Sequence, residues 1–210
     1  MNATSSFIYN LAEWITKFAY LNLLWILFTL LGGVFLGLFP STISMFAVVR
    51  AWLKGDTDIS VFRTFWKHYR DEFLKSNRLG VFVAVLIVFI ALDIFYIQSS
   101  ESNLLHWTYL PLFAFMLLFV KFLFYLFPSF VHFDTKLGQV IKNAFFIMLI
   151  NPLTTLLIFL CLIPFIYLIS ILPAIGFIFG GSVYAFISMR FSLHAFQKVH
   201  EKKETLGSSQ

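Results

Sequence analysis

Formal charges divide the chain into long apolar runs and short polar ones. Between Lys17 and Arg50 lie 32 residues with no Asp, Glu, Lys or Arg, and between Lys142 and Arg190 lie 47. As helices these runs would measure roughly 48 Å and 70 Å at 1.5 Å per residue, against a hydrocarbon layer of about 30 Å. The second run therefore holds two crossings. The first holds either one crossing with a long tail or a tight hairpin, and the charge symmetry favours the hairpin. Gly32-Gly33 lies near its midpoint, so Lys17 and Arg50 fall at matching distances from the bend, with Glu13 and Lys54 beyond them. Glycine pairs are also places where a chain turns closely.

The pattern thus predicts an all-α, polytopic transmembrane bundle of six crossings in one domain over residues 1–200. The segments are Ile8–Leu31, Val34–Leu53, Leu79–Gln98, Trp107–Pro128, Ala144–Leu168 and Ile171–Met189. Pro40-Ser41 is expected to distort the second. The polar tail Glu201–Gln210 is expected to be disordered.

Composition agrees. The chain is 60% hydrophobic and 12% charged, against roughly 25% charged in soluble domains. The net charge of +5 sits in segments beside the apolar runs, a positive-inside pattern and not a nucleic-acid patch. Lys17, the seven basic residues from Arg50 to Arg78, Lys136, Lys142 and the four from Arg190 to Lys203 all fall on one side of a six-crossing chain. The turns near Gly32, Ser99–His106 and Ser170 hold no Lys or Arg. Both termini are therefore expected in the cytoplasm, whereas five crossings with an external N-terminus would strand Lys17 outside. Met1–Thr16 carries no basic residue, so the first segment is expected to remain in the mature protein. The lone Cys161 lies inside an apolar run and is expected to pack there.

The stretch "VFRTFWKHYRDEFLKSNRLG" stands apart. Phe62, Phe65, Trp66, Tyr69 and Phe73 recur at helical spacing, while Arg63, Lys67, Arg70 and Arg78 fall on the other side. An amphipathic cytoplasmic helix is expected over residues 60–78, with Asp58 or Ser60 as its cap and His68 on the solvated face. Three roles fit it: lying in the headgroup interface, packing its aromatic face on the inner ends of the bundle, or offering a face to a partner protein.

Ionisable and amide groups at membrane depth are costly and each invites a functional question. Asp93 and Lys121 look like a pair, but counting residues puts them about 10 Å apart in depth; snorkelling toward opposite interfaces is the simpler expectation. Asn22, Lys121 and Asn151 all fall roughly 8–12 Å above the inner boundary at the same rise per residue. They form either interhelical glue or a polar pocket of a small transporter or channel. Six crossings make a small frame for alternating access, which a homo-oligomer would enlarge. Gly33-x-x-x-Gly37 and Gly176-x-x-x-Gly180 offer close-contact faces. No catalytic triad, metal spacing or phosphate loop stands out, so neither a catalytic residue, a metal nor a cofactor is expected.

Taken together, "LNLLWILFTL" (Leu21–Leu30), "PSTISMFAVVRAW" (Pro40–Trp52) and "FRTFWKHYRDEFLKSNRLG" (Phe62–Gly80) resemble the YesL family of bacterial membrane proteins, over the N-terminal 80 residues. The family's Gly-Pro turn reads Phe39-Pro40 here. The resemblance implies a plasma-membrane protein of unassigned function, about 200 residues long, encoded beside carbohydrate uptake and polysaccharide-degradation systems. It also implies an accessory role in oligosaccharide import with ABC transporter permease subunits as partners. A membrane assembly or scaffold factor is the alternative.

The orientation is directly checkable. With Cys161 replaced, an impermeant thiol reagent should label a cysteine at Ser100 in intact cells, and cysteines at Lys136 or Ser209 only after the membrane is opened.

Overall fold

The computed structural model describes residues 3–99 and 108–207, with side-chain placement over 8–99 and 108–199. The expected outer loop at 100–106, the start of the fourth crossing at Trp107 and the last three residues of the tail lie outside the described residues. Eight helices follow one another: α1 (Ala3–Leu31), α2 (Phe35–Leu53), α3 (Val61–Asp71), α4 (Phe73–Ser99), α5 (Tyr109–His132), α6 (Leu137–Ile150), α7 (Pro152–Ile171) and α8 (Pro173–Gly207). Among the described residues six helices are long and apolar enough to cross a membrane: all but α3 and α6. The chain is a helical, multi-pass membrane protein.

The turn between α1 and α2 follows from its glycines. Val34 N–H donates to Thr29 O at 2.9 Å and Gly33 N–H to Leu30 O at 3.0 Å, while Gly33 takes φ +72°. That is a Schellman end with glycine in the left-handed position that side chains resist. Gly32 and Gly37 then let the helices touch. A Cβ on Gly37 would meet the Thr29 carbonyl, with Phe28 O only 2.7 Å away. The same device ends α2, where Gly55 at φ +106° accompanies the bonds Asp56 N to Ala51 O and Gly55 N to Trp52 O.

At the centre stands α2, wrapped by α1, α3, α4, α5 and α8. Every residue from Pro40 to Val49 is buried. The run "PSTISMFAVV" permits this because Ser41, Thr42, Ser44 and Ala47 are small enough for neighbours on all sides. Two of the hydroxyls bond within the helix, Thr42 Oγ1 to Leu38 O at 2.7 Å and Ser44 Oγ to Pro40 O at 2.8 Å. Trp25 Nε1 of α1 donates to Thr42 at 3.0 Å. At the other end, Trp14, Phe18, Trp52 and Phe186 form an edge-on aromatic stack, with Trp14 and Trp52 centred 5.6 Å apart.

Several helix ends differ from the pattern. The amphipathic segment expected over 60–78 stops at Asp71. Glu72 breaks the helix at φ −100°, ψ 7°, and residues 73–78 belong to α4. The fifth crossing, expected as Ala144–Leu168, is two helices, because Pro152 cannot continue α6 and Asn151 adopts φ −119°, ψ 62°. α6 has 14 residues, about 21 Å, which is too short to cross; α7 supplies the crossing. α8 continues through the polar segment to Gly207, so the tail expected to be disordered from Glu201 is helical to that point. Cys161 is exposed on α7 and not packed. Gly176 does make a close contact, its absent Cβ lying 2.9 Å from Ile169, while Gly180 faces open space.

Replacing Gly37 with Ala should lower stability by about 1–3 kcal/mol through overpacking. For a chain of this size that is a fall of several degrees in melting temperature in detergent. A Gly180→Ala control should leave it unchanged.

Candidate functional site

α3 packs chiefly on α2, and against α1 it seats on a single knob. The ring of Phe28, one turn before the end of α1, sits among Phe62, Phe65, Trp66 and Tyr69, with centroid distances of 6.3, 5.3, 5.5 and 5.1 Å. Positions i, i+3, i+4 and i+7 of one helix form the hole that such a knob fills. Phe65 is fully buried and Tyr69 is 8% exposed; Tyr69 also donates from its hydroxyl to Phe28 O at 3.3 Å. Phe73 packs edge-on against Tyr69 at 5.6 Å. Much of the aromatic stripe is therefore committed to the chain's own bundle.

What α3 leaves outside is narrower than the stripe. Phe62 and Trp66 remain 46% and 43% exposed, and Arg63, Lys67 and Arg70 are exposed beside them. Arg70 has only a 3.5 Å contact with the adjacent Asp71, which contributes little at a surface. Arg78 is exposed on α4. Loop and helix start are anchored separately. Lys17 pairs with Glu13 and donates to Thr57 O at 3.1 Å, and Lys75 reaches Glu72 at 3.7 Å and Asp134 at 3.9 Å. His68, expected on the solvated face, is half-buried. Burial holds its pKa below the usual imidazole value; Glu72 and Asp71 pull it up, and Lys67 and Arg50 push it down.

The polar residues at depth do not assemble into one pocket. Asn22 is spent on α8. Its Nδ2 donates to Phe177 O at 2.7 Å, and its Oδ1 accepts from Gly181 N at 2.9 Å and Ser182 N at 3.2 Å. A Cβ at Gly181 would stand 3.0 Å from that oxygen, so glycine is what admits the amide. Asn151 is spent at the α6–α7 break, its Nδ2 donating to Ile147 O at 3.0 Å. The buried Tyr125 hydroxyl of α5 lies 3.0 Å from Thr155 Oγ1 and 3.3 Å from Asn151 O. Lys121 is half-buried one turn before Tyr125. Asp93 is exposed and lines a cavity of about 360 Å³ with Tyr96, Ile97 and Pro111 at the far end of α4 and α5. Asn22 is thus an interhelical fastener and Asn151 closes its own preceding turn, so the expected cluster of Asn22, Lys121 and Asn151 gives way to separate placements.

One fastener carried no sequence signal. Ser192 of α8 donates to Phe124 O at 3.4 Å, the carbonyl that Pro128 leaves without an N–H four residues on. The proline marks the orphan acceptor in the sequence; the helix that supplies its donor does not show there.

The family profile described as "Protein of unknown function, DUF624" matches residues 18–94, which run from α1 through most of α4. Three proteins of Bacillus subtilis strain 168 are similar along nearly the whole chain. "Uncharacterized protein YteU" is 39% identical over 190 residues, covering 90% of this chain and 85% of its own. "Uncharacterized protein YesL" is 33% identical over 195 residues, 93% and 92% of the two chains. "Uncharacterized protein YesV" is 34% identical over 200 residues, 95% and 96%. No solved structure matches.

Replacing Asn22 with Leu leaves Phe177 O, Gly181 N and Ser182 N without their side-chain partner and should cost about 1–3 kcal/mol, read as a drop in melting temperature. His68 gives a pH signature. Its folded pKa lies below the unfolded value, so the neutral form is favoured by folding. Stability is full above about pH 6.5 and declines as pH falls toward the lower folded value. In thermal melts from pH 8 to 5, His68→Gln should remove that part of the decline; identical slopes would show that His68 does not contribute.

Proposed function

Since the chain belongs to the YesL-like family of uncharacterized proteins, we propose that it acts as a non-enzymatic accessory or regulatory component of carbohydrate uptake. It would sit in the bacterial plasma membrane beside an ABC-type importer of oligosaccharides. The sugar-uptake part of this reading comes from what the family resemblance implies. The observation that carries the contact is the outer face of α3, where Arg63, Lys67 and Arg70 stand exposed beside half-exposed Phe62 and Trp66.

Such a face suits a protein partner on physical grounds. Aromatic and arginine side chains concentrate binding energy at interfaces, and a row of like charges steers an acidic surface into register. Because Phe28 already fixes the other side of α3, the face is preorganised, so little ordering entropy is lost on contact. The partner's matching surface would be an acidic, cytoplasmic loop of a permease subunit.

Tagged protein extracted in mild detergent from cells grown on an oligosaccharide should co-purify importer subunits. The combined change Arg63→Glu, Lys67→Glu and Arg70→Glu reverses the charge without touching the buried Phe65 and Tyr69, and should cut that recovery at least about tenfold, as expected when like charges face each other. Recovery unaffected by the triple change removes α3 from the proposal. Absence of importer subunits in the wild-type eluate overturns the uptake role.

A further inference from the structure

α4 and α6 both lean on α5 and leave a cleft between them. It has a volume of about 360 Å³ and is walled by Phe82 and Leu86 of α4, Phe119 and Phe122 of α5, and Phe145 and Met148 of α6. Its only charged lining residue is Lys142, and Gly138 forms part of its floor with open space where a side chain would be. Lys142 also edges a second hollow, of about 420 Å³, together with Gln139 and Asn143. On the α4 side, Arg78 lies one turn before Phe82 and two before Leu86, on the same strip of helix. Both cations are exposed, and among the described residues neither has an ion pair.

From this arrangement we infer that the cleft is a binding site for an anionic phospholipid of the inner leaflet, its phosphate between Arg78 and Lys142 and an acyl chain in the phenylalanine-lined gap. The polarity runs the right way. Arg78 stands near the end of α4 that follows α3, Lys142 stands in the first half of α6, and the apolar wall of α4 climbs from Arg78 toward the middle of that helix. The cleft opens sideways past exposed Phe115, Leu118 and Phe145, toward the surface that hydrocarbon covers, so a molecule already dissolved in the bilayer enters without crossing water. Lys142 lies over the Phe146 ring at 6.0 Å, and a fully apolar occupant would leave both cations without an anion. A phosphate satisfies both, and the guanidinium is well shaped to hold it.

The test is native mass spectrometry of the full chain, transferred in mild detergent from vesicles of equal phosphatidylglycerol and phosphatidylcholine. Wild-type protein should retain phosphatidylglycerol in clear excess. Lys142→Gln and Arg78→Gln should each reduce the excess about fivefold, the size of one cation's attraction to an anionic headgroup. Gly138→Phe, whose ring enters open space, should reduce retention of both lipids while leaving the melting temperature in place. Lys67→Gln, on the remote outer face of α3, should change nothing. Equal retention of the two lipids by wild type overturns the site, as does an excess unaffected by Arg78→Gln and Lys142→Gln. An excess lost equally with Lys67→Gln would show general surface charge and also overturns it. Because the readout is bound lipid and not a recovered protein, it stands apart from the proposed contact on α3.

Discussion

A carbonyl or amide left without a partner in hydrocarbon costs several kcal/mol, and this constraint decides how the helices are tied together. Prolines take backbone donors out of the helices, and at three places a side chain from another helix or the next turn adds a bond to the backbone. Pro128 leaves Phe124 O open and Ser192 answers it. Pro152 opens the end of α6, and Tyr125 with Thr155 closes around Asn151. At Phe177–Gly181 the Asn22 amide lies along the helix ladder, donating to the carbonyl and accepting from the N–H. Each repair joins elements far apart in sequence, α5 to α8, α5 to α7 and α1 to α8. Apolar packing alone gives transmembrane helices little preference for one neighbour over another, since lipid is as apolar as leucine. The polar repairs therefore supply specificity that the phenylalanines cannot.

The same logic explains why α3 faces inward. A helix with four aromatics on one side and cations on the other would rest at a membrane surface by itself. Here Phe28 offers a better site, a ring inserted among four rings, with edge and tilted geometries worth about 0.5–1.5 kcal/mol per pair beyond area. Tyr69 adds a bond to the Phe28 carbonyl that also accepts from Gly32. Anchoring α3 on the last turn of α1 also braces the glycine turn, because the Tyr69 hydroxyl stands 2.7 Å from where a Gly32 side chain would begin. The cost is that the aromatic stripe is largely unavailable to others, which leaves the cations as the outward signal.

Much of this architecture was legible in the sequence. The charge-free runs reveal six apolar helices because the hydrocarbon thickness is fixed, and Gly32-Gly33 and Gly55 mark their turns because left-handed backbone favours glycine. The aromatic period of α3 was equally plain. What the spacing left open was the partner of each group. Asn22 and Asn151 stand out as costly residues, but counting depth treats helices as straight and parallel, and equal depth does not mean adjacency. Asn22 meets α8 and Asn151 meets its own preceding turn. The break at Glu72 was hidden because one residue separates α3 from α4 and the helical period runs on across it. The persistence of α8 to Gly207 was hidden because polar composition reads as disorder even where a long helix simply continues.

The division of the fifth apolar run has a consequence beyond its helix ends. A continuous helix from Leu137 to Ile171 would be about 52 Å long, well beyond the roughly 30 Å that one crossing needs. Asn151-Pro152 ends α6 at Ile150 instead; Val140, Ala144, Ile147 and Met148 bury against the bundle, and Lys142 lines the cleft beside Phe119 and Phe122 of α5. The α6 wall of the cleft is thus a separate short helix, and that helix brings Lys142 into the cleft's lining. A proline that costs the helix a hydrogen bond thus places a cation at the mouth of an apolar gap.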